Sequence, residues 1–157
     1  MAWREGRREF SALKGEGNRK ALRALVKKQR PLGVLLYDGA KAIGWCAVAP
    51  REEYIRLEGS KVLAPVDDKP VWSTPCFFVD KECRGAGATV KLLKAAVEYA
   101  GQNGAKLVEG YPQDLGGKKL PPPFVWTGLL GAFEKAGFKE VMRRSKTRPI
   151  MRKATKR

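Results

Sequence analysis

The chain has 157 residues, of which 43% are hydrophobic and 31% charged, a size and balance that suit one globular domain. It contains no histidine, which excludes Ser-His and Cys-His nucleophile pairs and a histidine general base. Its three cysteines, Cys46, Cys76 and Cys83, form no CxxC pair, so we expect neither a structural zinc site nor a disulfide framework.

The net charge of +16 is concentrated at the two ends of the chain. Residues 1–30 hold 10 Lys/Arg and 3 Asp/Glu, and residues 139–157 hold 9 and 1, whereas residues 31–138 are nearly balanced with 13 and 12. Such ends favour a polyanionic partner, although solvated basic surface is the simpler interpretation. No apolar run reaches the ~20 residues of a membrane span, and MAWREGRREF lacks the apolar core of a signal peptide, so we expect a cytoplasmic protein.

Turn and capping signals divide the first part of the chain into an arm, a helix and a β-hairpin. Asn18 is a suitable N-cap, and Pro31 stops the helix that follows it. The Asp38-Gly39 pair favours a tight turn between two β-prone runs. The predicted elements are a short helix or ordered arm over residues 1–17, a helix from 18 to about 30, strands over 32–37 and 42–49, one or two helical turns over 51–57, and a loop over 59–70.

The second part begins with a strand, a Gly-rich turn and an amphipathic helix. Together with the strand after it, this unit is a β-turn-α-β crossover, which requires a parallel strand pair. The sequence therefore predicts a mixed sheet with helices on its faces. The predicted elements are a strand over 71–79, the turn at 84–87, a helix from about 86 to 101, a strand over 106–111, an irregular loop over 112–123, a helix over 126–136, strands over 138–143 and 149–152, and a frayed basic tail over 153–157.

The Gly-rich turn is the main functional signal. A glycine turn that enters a helix exposes free backbone N–H groups beside the positive end of the helix dipole. This arrangement binds phosphate or pyrophosphate. Many glycine turns are only turns, so the signal depends on its strand–helix–strand setting.

The residues of this unit resemble those of the GNAT superfamily, the Gcn5-related N-acetyltransferases. FFVDKECRGAGATVKLL, residues 77–93, matches that family's phosphate-binding signature, and FEKAGF, residues 133–138, is similar to its final helix with a Gly-Phe ending. GWCAVAPREEY and VEGYP suggest a bacterial branch, and the resemblance spans roughly residues 18–153. It implies one domain over residues 1–157, with a mixed, mostly antiparallel sheet, a parallel pair splayed at the cofactor site and helices on both faces.

The implied co-substrate is acetyl-coenzyme A, with no metal. The resemblance places the pyrophosphate on backbone N–H groups at the start of the helix and the pantetheine arm along the end of the preceding strand. The pyrophosphate residues are Arg84, Gly85, Ala86, Gly87, Ala88 and Thr89, and the pantetheine residues are Phe77, Phe78 and Val79.

Two departures from the family pattern affect the acceptor side and the chemistry. Only 17 residues precede the first predicted helix, whereas family members usually begin with another strand and helix. Phe133 stands where many members carry a tyrosine that reprotonates the departing thiolate, and a phenylalanine cannot donate a proton. The acid must therefore come from elsewhere.

Glu109 and Tyr111 are the candidate catalytic residues. Glu109 lies in the strand after the cofactor helix, where a carboxylate could take the amine proton directly or through water. A glutamate that lies on an edge strand or forms a salt bridge is an equally good interpretation. Tyr111 lies two residues on, on the same face, and is the candidate acid, with a half-buried strand tyrosine as its simpler alternative.

The sequence thus predicts an N-acetyltransferase that transfers acetyl from acetyl-coenzyme A to an amine of a small molecule or protein by direct attack. The alternative is a catalytically weak module of the same fold that binds nucleic acid or an acidic partner through its basic ends. Nucleic acid is the less favoured partner, a homodimer is left open, and no membrane partner is expected.

Overall fold

The computed structural model of the protein describes residues 1–118, 121 and 125–156. Short 3-10 turns lie at Arg51–Glu53 and Lys81–Cys83. No helix in these residues is long and apolar enough to cross a membrane. The helices are α1 (Arg7–Ala12), α2 (Glu16–Lys27), α3 (Ile55–Glu58), α4 (Ala88–Gln102) and α5 (Leu130–Lys135). The strands are β1 (Gly33–Asp38), β2 (Lys41–Ala47), β3 (Ala49–Pro50), β4 (Trp72–Thr74), β5 (Phe77–Val79), β6 (Leu107–Gly110), β7 (Lys139–Arg143) and β8 (Pro149–Ala154).

The strands form a mixed, mostly antiparallel arrangement, as the sequence predicts. One sheet has the order β1-β2-β5, and the other has the order β3-β4-β6-β8-β7. Among the described strands, β4 and β6 are the parallel pair, with Trp72 opposite Val108 and Thr74 opposite Gly110. The remaining strand pairs are antiparallel.

The parallel pair splays apart immediately after Thr74 and Gly110. The next strand, β5, pairs with β2 rather than following β6. A bond from the Ala47 N–H to the Cys76 carbonyl, 2.9 Å, carries the antiparallel pairing past the break between β4 and β5. One edge of β5 therefore faces the space that opens beyond the end of β6.

The sheets carry helices on both faces. On one face, α4 and α5 cover an apolar cluster of buried side chains that includes Leu93, Val108 and Met151. On the other face, α3 and the residues near it cover a second cluster that includes Leu57 and Ile150. Because side chains alternate along a strand, neighbouring residues such as Val108 and Glu109 face opposite ways.

Three predicted elements differ from the structure. The strand over 71–79 is two strands, because Pro75 has no N–H to continue the ladder. The helix over 126–136 is limited to α5, because Gly128 has a φ of +87°, which ends any helical path before Leu130. The tail over 153–157 is not frayed at its start, because β8 extends to Ala154 and the Thr155 N–H bonds the Lys106 carbonyl at 3.1 Å.

The N-terminal elements also differ in extent. The first long helix, α2, begins at Glu16 rather than at Asn18. Of the two alternatives for residues 1–17, the short helix is present as α1. The predicted strand over 42–49 is divided into β2 and β3. Positions 119, 120, 122 and 123 of the predicted loop, and position 157 of the predicted tail, lie outside the described residues.

Candidate active site

The turn before α4 is an open cradle of backbone N–H groups. Gly85 and Gly87 have φ values of +83° and +76°, and a Cβ at either position would meet no heavy atom within 4 Å. Within the described residues, the N–H groups from Gly85 to Thr89 donate no hydrogen bond. They lie at the positive end of a 15-residue helix, so they can bind an anion without disturbing another contact.

The approach to this turn is fixed by side chains on both sides. The Arg84 Nε donates to the Val79 carbonyl at 3.0 Å. The Asp80 carboxylate accepts from the Glu82 N–H at 3.3 Å and pairs with Lys41 at 2.9 Å. The hydrogen bond from Lys41 lowers the pKa of Asp80, so this side chain stays charged as it holds the turn.

The edge of β5 that no other strand pairs consists of the backbone groups of Phe77 and Val79, of which the Phe77 N–H and the Val79 carbonyl already have partners. The Asp80 N–H bonds the Ile43 carbonyl at 2.8 Å, and the Cys76 carbonyl also pairs with β2, so residues 76, 78 and 80 direct their backbone groups toward that strand. Phe77 and Val79 direct theirs toward the splay. The Phe78 side chain is exposed, and the Phe77 side chain is buried.

Residues 126–130, here called the bridging segment, cross the base of the splay. The Phe77 N–H donates to the Trp126 carbonyl at 2.7 Å. The Gln113 N–H donates to the Gly128 carbonyl at 2.8 Å, and the Leu130 N–H donates back to Gln113 at 3.0 Å. The segment thus joins the edge of β5 to the chain that leaves β6. Trp126, expected to begin a helix, lies in a turn and stacks on Trp3 with ring centroids 5.5 Å apart.

Phe133 fills the floor of this region. It is fully buried, and its ring makes edge contacts with Phe77 and Phe138, with centroids 5.9 and 5.1 Å apart. A Cβ on Gly110 would overlap the Phe133 ring, so the glycine allows this close approach. The position at which the resembled family often carries a tyrosine is therefore occupied here by a phenylalanine packed against two other aromatic rings.

Glu109 and Tyr111 share a buried polar network on the other face of the sheet. Both are fully buried. Glu109 Oε1 accepts from Arg51 Nη1 at 3.2 Å and from the Tyr111 hydroxyl at 2.8 Å, and Glu109 Oε2 accepts from Arg152 Nε at 2.7 Å. Ser73 and Arg51 also contact the Tyr111 hydroxyl, each at 2.7 Å. Burial, and next the charge of Glu109, raise the pKa of Tyr111 well above its usual value.

These contacts limit how the two residues could act on a substrate. Both carboxylate oxygens of Glu109 are occupied, and Tyr111 could release a proton to a substrate only after the network opens. The glutamate was identified from the sequence, but its partners Arg51 and Arg152 were not. Arg152 directly follows the apolar run Pro149–Met151 in β8, and a cation beside such a run is a signal that a buried acid lies nearby.

The cysteines and the acidic residues show no sign of a metal site. Cys46 is buried, while Cys76 and Cys83 are half-buried, and all three are free thiols. Burial raises the pKa of the Cys76 thiol, which opposes a nucleophilic thiolate. Within the described residues, no three Cys, Asp or Glu side chains are grouped so that they could hold a metal ion.

Comparisons with known proteins agree with this architecture. The model of the acetyltransferase (GNAT) family matches residues 2–112, more than half of the chain. A search of curated proteins gives no match.

Solved structures share the fold at low sequence identity. An N-acetyltransferase from Staphylococcus aureus Mu50 superposes with a TM-score of 0.56 at 10% identity, over 90% of this chain and 77% of that chain. A structure described as an acetyltransferase of the GNAT family from Desulfovibrio desulfuricans gives 0.53 at 14%, over 88% and 76%. A ribosomal-protein-alanine N-acetyltransferase from Brucella melitensis gives 0.53 at 15%, over 88% and 77%. At these identities the likeness concerns the fold alone.

Proposed function

Since the chain belongs to the GNAT acetyltransferase family, we propose that it transfers an acetyl group from acetyl-coenzyme A to an amine of a small molecule or protein. The observation that carries the proposal is the open N–H cradle at the start of α4, placed beside the edge of β5 that no other strand pairs. An anion site and an unpaired strand edge next to each other suit a ligand with a pyrophosphate and an amide-containing arm.

The residues present fit acetyl-coenzyme A at the turn and at one of the two edge positions. The N–H groups of residues 84–89 would hold the pyrophosphate, and the Val79 N–H has no hydrogen-bond partner among the described residues. The Phe77 N–H is bonded to Trp126, so pairing at that position requires the bridging segment to move. Phe78, which is exposed, would cover the arm from solvent.

The reaction is a direct acyl transfer, for which acetyl-coenzyme A supplies the thioester. A new C–N bond forms as the C–S bond breaks, the amine loses one proton, and the departing thiolate gains one. We propose that the Val79 N–H polarises the thioester carbonyl, because a fixed donor at that oxygen stabilises the charge that develops there. The base and acid roles of Glu109 and Tyr111 remain predictions, and both require access to a network that is now closed.

Isothermal titration with acetyl-coenzyme A tests the proposal. Gly85→Glu should weaken binding at least ~10-fold, because the new carboxylate repels the pyrophosphate and disrupts a charge-assisted hydrogen bond of about 1.5–3 kcal/mol. Gly104→Glu is the matched control: it lies at the far end of α4, has a φ of +85°, and also has no heavy atom within 4 Å of its Cβ position. Absence of heat from the wild type at high micromolar ligand, or equal losses in the two variants, would contradict the proposal.

The alternative, binding of nucleic acid through basic ends, is supported most clearly by α2 at the N-terminal end. Several C-terminal arginines already bind carboxylates or carbonyls of the chain, namely Arg143, Arg144 and Arg152. The helix α2 presents exposed cations at helical spacing, namely Arg19, Lys20, Arg23 and Lys27. If they bind phosphates, the affinity for single-stranded RNA should fall with salt at a slope of roughly −0.7 per neutralised phosphate, as measured by fluorescence anisotropy. Binding that is absent at low salt, or insensitive to salt, eliminates this alternative.

A further inference from the structure

Arg148 is a half-buried cation with one neutral hydrogen-bond partner. It lies between β7 and β8, and its Nη1 donates to the Thr127 hydroxyl at 2.9 Å. Within the described residues no carboxylate pairs with it, and none of the six undescribed residues has an acidic side chain. Burial lowers its pKa, as expected for a guanidinium removed from water without a counter-charge.

The other arginines of the β7–β8 hairpin have carboxylate partners or several carbonyl partners. Arg143 pairs with Glu140 and Asp114, each at 2.7 Å. Arg152 pairs with two carboxylates, and Arg144 donates to three backbone carbonyls. Removing a charge from water without a partner is unfavourable, so buried cations are normally paired. Arg148 departs from that rule, and a guanidinium retains four further N–H donors after one bond.

The position of Arg148 connects it to the proposed reaction centre. Its partner Thr127 belongs to the bridging segment and is buried. Thr127 directly follows Trp126, whose carbonyl accepts a hydrogen bond from the Phe77 N–H at the edge of β5. Summed bond lengths along this path put the Arg148 guanidinium at most roughly 13 Å from the Phe77 nitrogen. The proposed thioester contact, the Val79 N–H, lies two residues further along β5, which adds at most about 7 Å. A molecule that reaches both sites therefore carries its amine and its anionic group on a chain of several bonds.

We propose that Arg148 binds a carboxylate of the acceptor, so that the amine substrate is an amino acid, a short peptide or another compound that carries both groups. This inference rests on the proposed acetyl transfer. A guanidinium meets a carboxylate through two parallel N–H···O bonds, a geometry that fixes orientation as well as charge. The carboxylate would supply the counter-charge that the described residues do not provide.

Matched pairs of acceptors test this inference. Amino acids and dipeptides are compared with their C-terminal amides, and coenzyme A release is followed by thiol detection. We expect the wild type to favour the free carboxylates about 10–100-fold in kcat/KM, the range of one or two charge-assisted hydrogen bonds. Arg148→Met should remove that preference chiefly through KM and leave the amides unchanged, and Arg148→Lys should restore part of it.

Lys146→Met is the control, because Lys146 lies in the same loop, is exposed and loses the same charge. Acetyl-coenzyme A binding, measured by calorimetry, shows whether each variant retains its fold. A wild type that uses amides as well as carboxylates, or an Arg148→Met variant that loses both equally, overturns the inference.

The carboxylate site can also be tested when no acetyl transfer is detected. If no acceptor is acetylated although acetyl-coenzyme A binds, the transferase proposal fails. In that case N-acetyl amino acids and their amides are titrated into the coenzyme A complex. Tighter binding of the carboxylate forms that Arg148→Met abolishes supports the carboxylate site, and equal affinity overturns it.

Discussion

Replacing Glu109 by glutamine should destabilise the fold strongly. The substitution keeps the size of the side chain and removes the negative charge that faces Arg51 at 3.2 Å and Arg152 at 2.7 Å. Both guanidiniums are nearly buried, with side-chain exposures of 9% and 8%. Removing one partner of a buried ion pair costs about 3–5 kcal/mol when the remaining charge is left uncompensated. Here Arg152 keeps Asp67 and Arg51 keeps Glu58 as partners, so we expect a loss at the lower end of that range, about 3 kcal/mol. For a domain of 157 residues a loss of about 3 kcal/mol corresponds to a fall in Tm of roughly 6–12 °C.

Urea and thermal unfolding, followed by circular dichroism, measure the effect. The chain contains a matched control in Glu58, which also pairs with Arg51, at 3.4 Å, but is 58% exposed. Exposed ion pairs contribute about 0–1 kcal/mol, so Glu58→Gln should leave the unfolding midpoint nearly unchanged. The difference between the two variants isolates the contribution of burial.

The same variant separates a structural role of Glu109 from a catalytic one. Loss of stability, with turnover preserved at temperatures where the variant is folded, assigns the carboxylate to the buried network. Unfolding like that of the wild type, together with a fall in kcat of about 100-fold or more, would refute this reasoning and identify a general base. Tyr111→Phe then shows whether the hydroxyl acts with it.

Two further substitutions test contacts at the point where β4 and β6 separate. Trp126→Ala removes the stack on Trp3, worth about 0.5–1.5 kcal/mol, and thereby loosens the segment that occupies the Phe77 N–H. We expect acetyl-coenzyme A to bind roughly 2–10-fold more tightly by calorimetry, and unchanged or weaker binding would contradict a competing segment. Gly110→Ala should lower the free energy of unfolding by about 1–3 kcal/mol in urea, because the added methyl overlaps the Phe133 ring, and a neutral effect would disprove that close approach.

The parts of the fold that could be predicted are those with local signals. The helix α4 follows from apolar spacing, and its start follows from two glycines whose positive φ values few other residues adopt. The break between β4 and β5 also has a local signal, since Pro75 cannot donate to a ladder, but the β-prone residues on both sides of it favour one long strand.

The parts that could not be predicted depend on contacts between distant positions. Glu109 was visible in the sequence, but its two arginines lie 58 and 43 residues away. The apolar spacing after residue 126 favours a helix, yet Trp126 and Gly128 form bonds to Phe77 and Gln113 instead. Pattern rules describe an element by itself, so they do not show when a sheet edge binds it in another conformation.

The bridging segment links the two proposed substrate contacts, and this predicts an order of binding. The Trp126 carbonyl occupies the Phe77 N–H, and the adjacent Thr127 hydroxyl occupies Arg148. If the pantetheine arm pairs with Phe77, Trp126 must move, and Thr127 moves with it, which frees the guanidinium for the acceptor carboxylate. We therefore expect acetyl-coenzyme A to bind first. A dead-end competitor of the acceptor should be uncompetitive against acetyl-coenzyme A in initial-rate measurements, whereas noncompetitive inhibition would show that the two contacts are independent.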